Sequence, residues 1–477
     1  MPFLCERVFW ALTLLAFAGA LLARDSVAVP VPIAGALERA GIPQSAVTLL
    51  IEPLDGGPPL VRLNPQVARN PASLIKLITT YAALELLGPG YRWSTEIYLR
   101  GPLKNGVLKG HLAVRGGGDP FMRMQDFWLH LRELRRRGVR KITGNLLLDD
   151  GFFAPIAEDA GDFDGRPART YNLAPNALLV NLQAVRLSLK PAGDSVAVDM
   201  VPDLPGVRLR NRLRLIPGEC VADNADISVA VTGRARNRLE LRGDYPIGCV
   251  DYQMVRTVLQ PHSYFYALFR LLWEEQGGVL GGWHRKAVLN VSADEEPFMV
   301  WQSAPLREIL VSTNKHSNNT MARHLLLTIA AETRGVPARP EQGVAAIVEL
   351  LQAQEVPVDN LVLVNGSGRA RLARADGQML IEVIRRAYRS PLAAEFFASL
   401  PLNGVDGTMR RRQPDAEAHG YAHLKTGRLK DVTALAGVVQ AQSGRRYALV
   451  FMVNHPAVHR GIGNEIGDLI VDWVHRQ

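Results

Sequence analysis

The sequence predicts an α/β fold in which an antiparallel sheet is flanked by helices and interrupted by a large β-rich insertion. Three observations lead there. Hairpin patterns stand at both ends of the chain: Val47 to Ile51 with Leu60 to Leu63 around Asp55-Gly56-Gly57-Pro58-Pro59, and Thr433 to Val439 with Tyr447 to Val453 around Gln442-Ser443-Gly444. Apolar residues at helical spacing follow each hairpin. Between them lies a long interval of short strand-like pieces broken by Gly, Pro and Asp.

At the N-terminus, Val8 to Ala23 carries no charge and follows Arg7. That run is short and is followed by small residues, which reads as a signal peptide over residues 1–28 with Ser26-Val27-Ala28 at the cleavage site. An uncleaved anchor is the alternative. Cys5 would leave with the signal, so the exported chain keeps Cys220 and Cys249, 29 positions apart (220 to 249). In an exported chain the pair suits a disulfide, with two buried free thiols as the other reading. The 477 residues suggest about three domains. A hydrophobic share of 47% with 21% charged is enough for a sizeable core. The net charge of +9 permits acidic partners. No aromatic-interleaved basic patch or nucleic-acid motif accompanies it, so nucleic acid is not expected. Arg135-Arg136-Arg137 and Arg410-Arg411-Arg412 read as solvated faces.

After the first hairpin, Leu74, Leu77, Ile78, Tyr81 and Leu84 recur at helical spacing, Pro71 suits the first turn, and Gly88-Pro89-Gly90 ends the pattern. Ser73 and Lys76 therefore share a helix face, roughly 5–6 Å apart at Cβ. A lysine that is neutral part of the time can activate such a serine as a nucleophile. S-x-x-K alone says little. Two later segments change its meaning: Ser317-Asn318-Asn319 heads a second helical pattern through Leu327, and Lys425-Thr426-Gly427 precedes a strand-like run. Serine and lysine motifs in this order are the signature of active-site-serine enzymes that react with penicillin. Other motifs read blandly. Gly116-Gly117-Gly118 lacks the Lys-Ser/Thr of a phosphate loop and reads as a tight turn. His455 and His459 flank Pro456 and read as surface histidines. Ser367, in Asn365-Gly366-Ser367-Gly368, reads as part of a tight turn near the site.

With Gly116 to Pro120, Tyr171 to Leu178, Asn365 to Gly368 and Gly404 to Thr408, these motifs resemble the D-alanyl-D-alanine carboxypeptidase/endopeptidase family, the class C low-molecular-mass penicillin-binding proteins. The resemblance runs from about Ile33 to the C-terminus. It implies a transpeptidase/β-lactamase-like domain that hydrolyses peptidoglycan stem peptides through an acyl-enzyme and is acylated by β-lactam antibiotics. Ser73 would be the nucleophile, Lys76 its base and Ser317 a proton relay. Asn319 would hold the substrate amide, and Lys425, Thr426 and Gly427 would bind the substrate end bearing the terminal carboxylate. Backbone N–H groups of Ser73 and Arg428 would form the oxyanion hole. No cofactor or metal is implied, the location would be periplasmic, and membrane contact would be peripheral at most. The oligomeric state stays open. An anionic cell-wall polymer would suit the net charge. Three departures stand out: Asn365 where Asp is common, Arg428 where Ser or Thr follows K-T-G, and the basic run Arg369 to Arg374.

The spacing sets the domain reading. Ser73 and Ser317 lie 244 positions apart (73 to 317), whereas Ser317 and Lys425 lie only 108 apart (317 to 425). A compact β-lactamase has far less between its first two motifs. The excess holds Asn145 to Leu148, Val185 to Leu189, Val207 to Leu215 and Leu239 to Arg242 as strand-like pieces. Residues 96–274 are therefore expected as an insertion, in two subdomains, within a catalytic domain of 29–95 and 275–477. A β-lactamase and a non-catalytic wall scaffold are the rival readings; the long insertion disfavours the first, and the intact motifs disfavour the second.

Overall fold

The computed structural model describes residues 27–220, 227–292, 294–412 and 416–477. Nearly all of the expected signal peptide lies outside the described residues. The chain forms two compact units. One runs to Ala82 and takes in Leu310–Ser317 and Ile347–Gln477; the other holds Ala83–Ile309 and Asn318–Ala346.

The first unit is built on a five-stranded sheet in the order Ala422–Leu429, Val432–Gln440, Arg446–Asn454, Val47–Pro53, Val61–Leu63. Every neighbouring pair is antiparallel. Both hairpins read from the sequence are present, and Val47 pairs with Val453, which joins the two ends of the chain in one sheet. The central strands are buried on both faces, which explains their nearly unbroken apolar runs. Helices Val31–Arg39 and Ile462–His475 cover one face, where Ile33, Leu37, Ile466 and Ile470 join Leu49, Leu435 and Phe451 in a common core. On the other face helix Gly377–Arg389 packs so closely that a Cβ on Gly377 would lie 2.6 Å from the Thr48 methyl. Asp376 caps that helix by accepting from Met379 N at 2.8 Å.

The strands of the second unit run from Ser94 to Gln302. A five-stranded mixed sheet has the order His284–Lys286, Leu146–Asp149, His111–Arg115, Ser94–Arg100, Met299–Gln302. Helix Pro261–Glu275 contributes Phe265 and Phe269 to an aromatic cluster with Phe127 and Trp301. Two three-stranded sheets follow. Ser195–Val201, Ala184–Ala192 and Tyr252–Thr257 form one, and Arg208–Ile216, Arg238–Pro246 and Ser228–Thr232 form the other. Their apolar faces share one core, with Leu187, Leu189, Val196, Leu239 and Leu241. Cys220 and Cys249 are joined by a disulfide within this region. The Gly116 to Gly118 turn is tight for a visible reason: Cβ atoms on Gly116 and Gly117 would lie 2.2 Å from the carbonyl oxygens of Ala177 and Ser94.

Candidate active site

Asn70 sets the turn that carries Ser73. Its Oδ1 accepts from Ala72 N at 2.9 Å, while its Nδ2 donates to the carbonyls of Ala370 and Arg371 at 3.0 and 3.2 Å. Ala72 takes φ of 47°, and Ala72–Leu74 forms a 3₁₀ turn that leads into α-helix Ile75–Leu87. Ser73 thus sits one turn ahead of the α-helix instead of within it. Ser73 is half-buried while Lys76 is buried. The spacing of three still brings the pair together: Lys76 Nζ lies 3.0 Å from Ser73 Oγ.

Lys76 Nζ also donates to Ser367 O at 2.6 Å. Burial pushes its pKa well below the ordinary lysine value, and the positive charge of Lys425 adds to the shift. Burial is the larger cause. An ammonium deprived of water loses solvation that its buried surroundings do not fully replace, so the neutral amine gains. With one N–H spent on the Ser367 carbonyl, a neutral Lys76 can accept the Ser73 proton.

Lys425 lies on strand Ala422–Leu429, and burial lowers its pKa to about 7. Its Nζ donates to Ser317 Oγ at 2.9 Å and to Thr426 O at 2.7 Å. Ser317 takes φ of 51°, just past helix Leu306–Lys315. The first unit therefore holds two serine–lysine pairs. Thr426 Oγ1 donates to Thr408 Oγ1 at 2.7 Å, and Asp406 next to that turn pairs with Lys315. Gly427 faces the Ser73 turn, where a Cβ would stand 2.8 Å from Pro71 O.

The strand that carries Lys425 is the edge of its sheet. Ala422 O accepts from Asn403 N and Leu424 N donates to Pro401 O, both at 2.9 Å and both away from Val432–Gln440. Backbone groups two residues apart point the same way along a strand. The N–H groups of Thr426 and Arg428 consequently face the outer edge. By the same alternation the exposed Arg428 side chain leaves from the face opposite Lys425 and Gly427.

Asn319 belongs to the second unit. It starts helix Asn319–Arg334, which Asn318 caps by accepting from Met321 N at 3.1 Å. The Asn319 Nδ2 donates to Tyr171 O at 3.2 Å.

The sequence reading understated the segment Asn365 to Gly368. Its Ser367 carbonyl is a Lys76 partner, and Gly368, with φ of 75°, lies so close to the Ser73 turn that a Cβ would stand 1.8 Å from Ala72 O. Paired glycines around a polar residue were the available signal. Asn365 performs a turn role that needs no charge: its Oδ1 accepts from Ser367 N and Ser367 Oγ at 3.1 and 2.9 Å, and its Nδ2 donates to Arg369 O at 3.2 Å. His455 is a cap, its Nδ1 accepting from Ala457 N at 3.2 Å. A cavity of about 1030 Å³ in the second unit is lined by Leu173 to Ala177 and by none of Ser73, Lys76, Ser317, Asn319 or Lys425.

A serine within reach of a buried lysine whose neutral form is favoured, with a second serine–lysine pair on an edge strand, defines an acyl-transferring serine hydrolase. Comparison with known proteins makes the class specific. The D-Ala-D-Ala carboxypeptidase 3 (S13) family matches residues 32–477. The chain is 30% identical over 400 residues to a D-alanyl-D-alanine carboxypeptidase of Actinomadura sp. (strain R39), covering 78% of this chain and 71% of that protein. Its fold resembles the crystal structure of penicillin binding protein 4 (dacB) from Haemophilus influenzae, with a TM-score of 0.79, 21% identity and coverage of 94% and 100% of the two chains. The same protein complexed with a novel β-lactam gives a TM-score of 0.72 at 21% identity, covering 92% and 99%. The chain belongs to the D-Ala-D-Ala carboxypeptidase 3 (S13) family. It is a serine-type penicillin-binding hydrolase.

Proposed function

We propose that this protein cleaves peptidoglycan stem peptides at a D-Ala-D-Ala-type bond, as carboxypeptidase or endopeptidase, with Ser73 as nucleophile. The observation that carries the assignment is the 3.0 Å approach of Ser73 Oγ to the buried Lys76 Nζ. Neutral Lys76 takes the Ser73 proton as Oγ attacks the carbonyl, and the Oγ–C bond forms. As the C–N bond breaks, Ser317, hydrogen-bonded to Lys425, relays a proton to the leaving amine and is reprotonated at the expense of Lys76, which returns to the neutral amine. Water then cleaves the Ser73 ester and releases the shortened peptide. The outward N–H of Arg428, with that of Ser73, would hold the oxyanion, where one donor contributes roughly 10²–10³ in rate. Protonated Lys425 and Thr426 would receive the terminal carboxylate, and Gly427 keeps the strand close to the Ser73 turn. Asn319 is assigned to the substrate amide on the S-x-N spacing alone. β-Lactams would acylate Ser73 by the same attack. The composition of the N-terminus supports a periplasmic location. Among the described residues no helix is long and apolar enough to cross a membrane.

Mass spectrometry after penicillin treatment tests the reading. A lasting adduct on the peptide containing Ser73 is expected. Rapid turnover of the drug would make the protein a β-lactamase, and no adduct with no turnover would make it non-catalytic.

A further inference from the structure

In the second unit, the sheet of Arg208–Ile216, Arg238–Pro246 and Ser228–Thr232 is sorted by charge between its two faces. Side chains alternate along a strand. The odd-numbered Leu209, Leu213 and Leu215, with Leu239, Leu241 and Tyr245, pack inward on the core. The even-numbered Arg208, Arg210, Arg212 and Arg214 all leave from the outer face of one strand and are exposed. Their register neighbours on the next strand are Arg238, Glu240, Arg242 and Asp244. Eight positions therefore carry six guanidinium groups and two carboxylates, an excess of four positive charges. Asp244 pairs with Arg214, and Glu240 pairs with Arg212 and Arg242. Arg208 and Arg238 form no ion pair among the described residues, while Arg210 stands opposite Glu240 and helps to lower its pKa. Successive guanidinium stems stand roughly 6.6 Å apart along the strand.

At the end of this sheet the chain turns through Ile247, Gly248, Cys249 and Val250. Ile247 is 54% exposed and Val250 is 78% exposed. This tip is not a frayed end. Ile247 N donates to Ile216 O at 2.9 Å, Gly248 N donates to Gly218 O at 3.0 Å, and Tyr245 Oη donates to Cys249 O at 2.6 Å. The disulfide to Cys220 fixes it further. The fold thus holds two apolar side chains in water at one end of the arginine-bearing sheet, the end opposite Arg208 and Arg238.

We infer that this arginine-bearing sheet face, together with the tip at Ile247 and Val250, docks peripherally on an anionic phospholipid surface. Guanidinium groups bind phosphate oxygens in pairs, and excess basic residues are drawn to an anionic leaflet. The exposed aliphatic tip suits the boundary between headgroups and acyl chains. A second copy of the chain is disfavoured by like charge on like. A soluble polyanion would satisfy the arginines but leave Ile247 and Val250 without a role.

Vesicle co-sedimentation tests the inference with the purified chain. At low salt, vesicles of phosphatidylcholine with about a third phosphatidylglycerol should retain the protein, and retention should fall steeply in 0.5 M NaCl, where the screening length is only a few ångströms (on the order of 4 Å). The variant R208Q/R210Q/R238Q should lose at least about tenfold in partitioning. Ile247→Ser with Val250→Ser should weaken what remains at intermediate salt. Both variants should keep the wild-type melting temperature and penicillin acylation, which excludes misfolding as the cause. No retention on anionic vesicles, equal retention by the triple variant, or retention insensitive to salt overturns the inference. So does binding to soluble poly(glycerol phosphate) but not to vesicles, which would make the occupant a free polyanion.

Discussion

At the scale of single residues, the proposed chemistry rests on two buried amines with different tasks. Lys76 must be neutral to act as base, while Lys425 must be charged to receive a carboxylate. The second-order rate of penicillin acylation should therefore rise with pH as Lys76 loses its proton. It should fall above about 7, where free Lys425 loses its own. The limbs belong to the coupled pair. Lys425→Arg should carry the falling limb to much higher pH, because arginine stays protonated. A falling limb that stays near 7 in that variant would assign it to another group. On the proposed reading Arg428 would contribute through its backbone N–H. Arg428→Thr should keep acylation within about tenfold, or about 1.4 kcal/mol. Arg428→Pro, which deletes the donor, should lose roughly 10²–10³. Stopped-flow acylation of the two variants separates the cases, and equal losses would make the side chain the important part.

Among elements, the loop that carries Ser367 and Gly368 packs against the Ser73 turn. Gly368→Ala would force a Cβ onto Ala72 O from a left-handed backbone. It should cost at least about 2 kcal/mol and slow acylation as Lys76 loses its fixed carbonyl partner. Thermal melts and acylation kinetics check both effects, and a wild-type rate would show that the turn holds itself. Helix Asn319–Arg334 carries a separate acid sensitivity. His324 is buried, donates from Nδ1 to Gly118 O at 3.0 Å and accepts from Asn176 N at 3.3 Å, and burial lowers its pKa to about 4. The folded chain then holds fewer protons than the unfolded chain between about pH 4 and 6.5. Stability should fall as pH drops through that window, by up to about 3 kcal/mol. His324→Gln should be less stable at pH 8 and should lose less stability on acidification. An unchanged acid slope would place the effect elsewhere.

For the whole molecule, the disulfide constrains a separation of 29 residues within the second unit. Cys220→Ser with Cys249→Ser should lower stability by about 3–4 kcal/mol in the chain-entropy account, while penicillin acylation of the folded protein stays near wild type. Denaturant unfolding and labelled penicillin read the two separately. Loss of acylation in the folded variant would mean that the second unit supports the site. The segments read as strands at Val185 to Leu189, Val207 to Leu215 and Leu239 to Arg242 all form strands, because one-sided burial writes a period of two into the sequence. Ser195–Val201, Ser228–Thr232 and Tyr252–Thr257 escaped the reading. Their outward positions include Val201 and Val255, both exposed, and such residues blur the alternation.

The order of Ser73-x-x-Lys76, Ser317 and Lys425-Thr426-Gly427 was legible by itself, since local chemistry and helical spacing need no distant partner to be recognised. So were the two hairpins, whose turn residues and apolar runs lie within about twenty positions of each other. The tertiary structure alone decided which groups complete the site. The Ser367 carbonyl lies 291 positions from Lys76, and Lys425 lies 108 from Ser317. A carbonyl leaves no mark on residue identity, and nothing local forces such distant partners to meet. Burial also decided the protonation of both lysines. A lysine has the same letter in water and in a core, and the loss of its solvent exists only once the chain has folded around it.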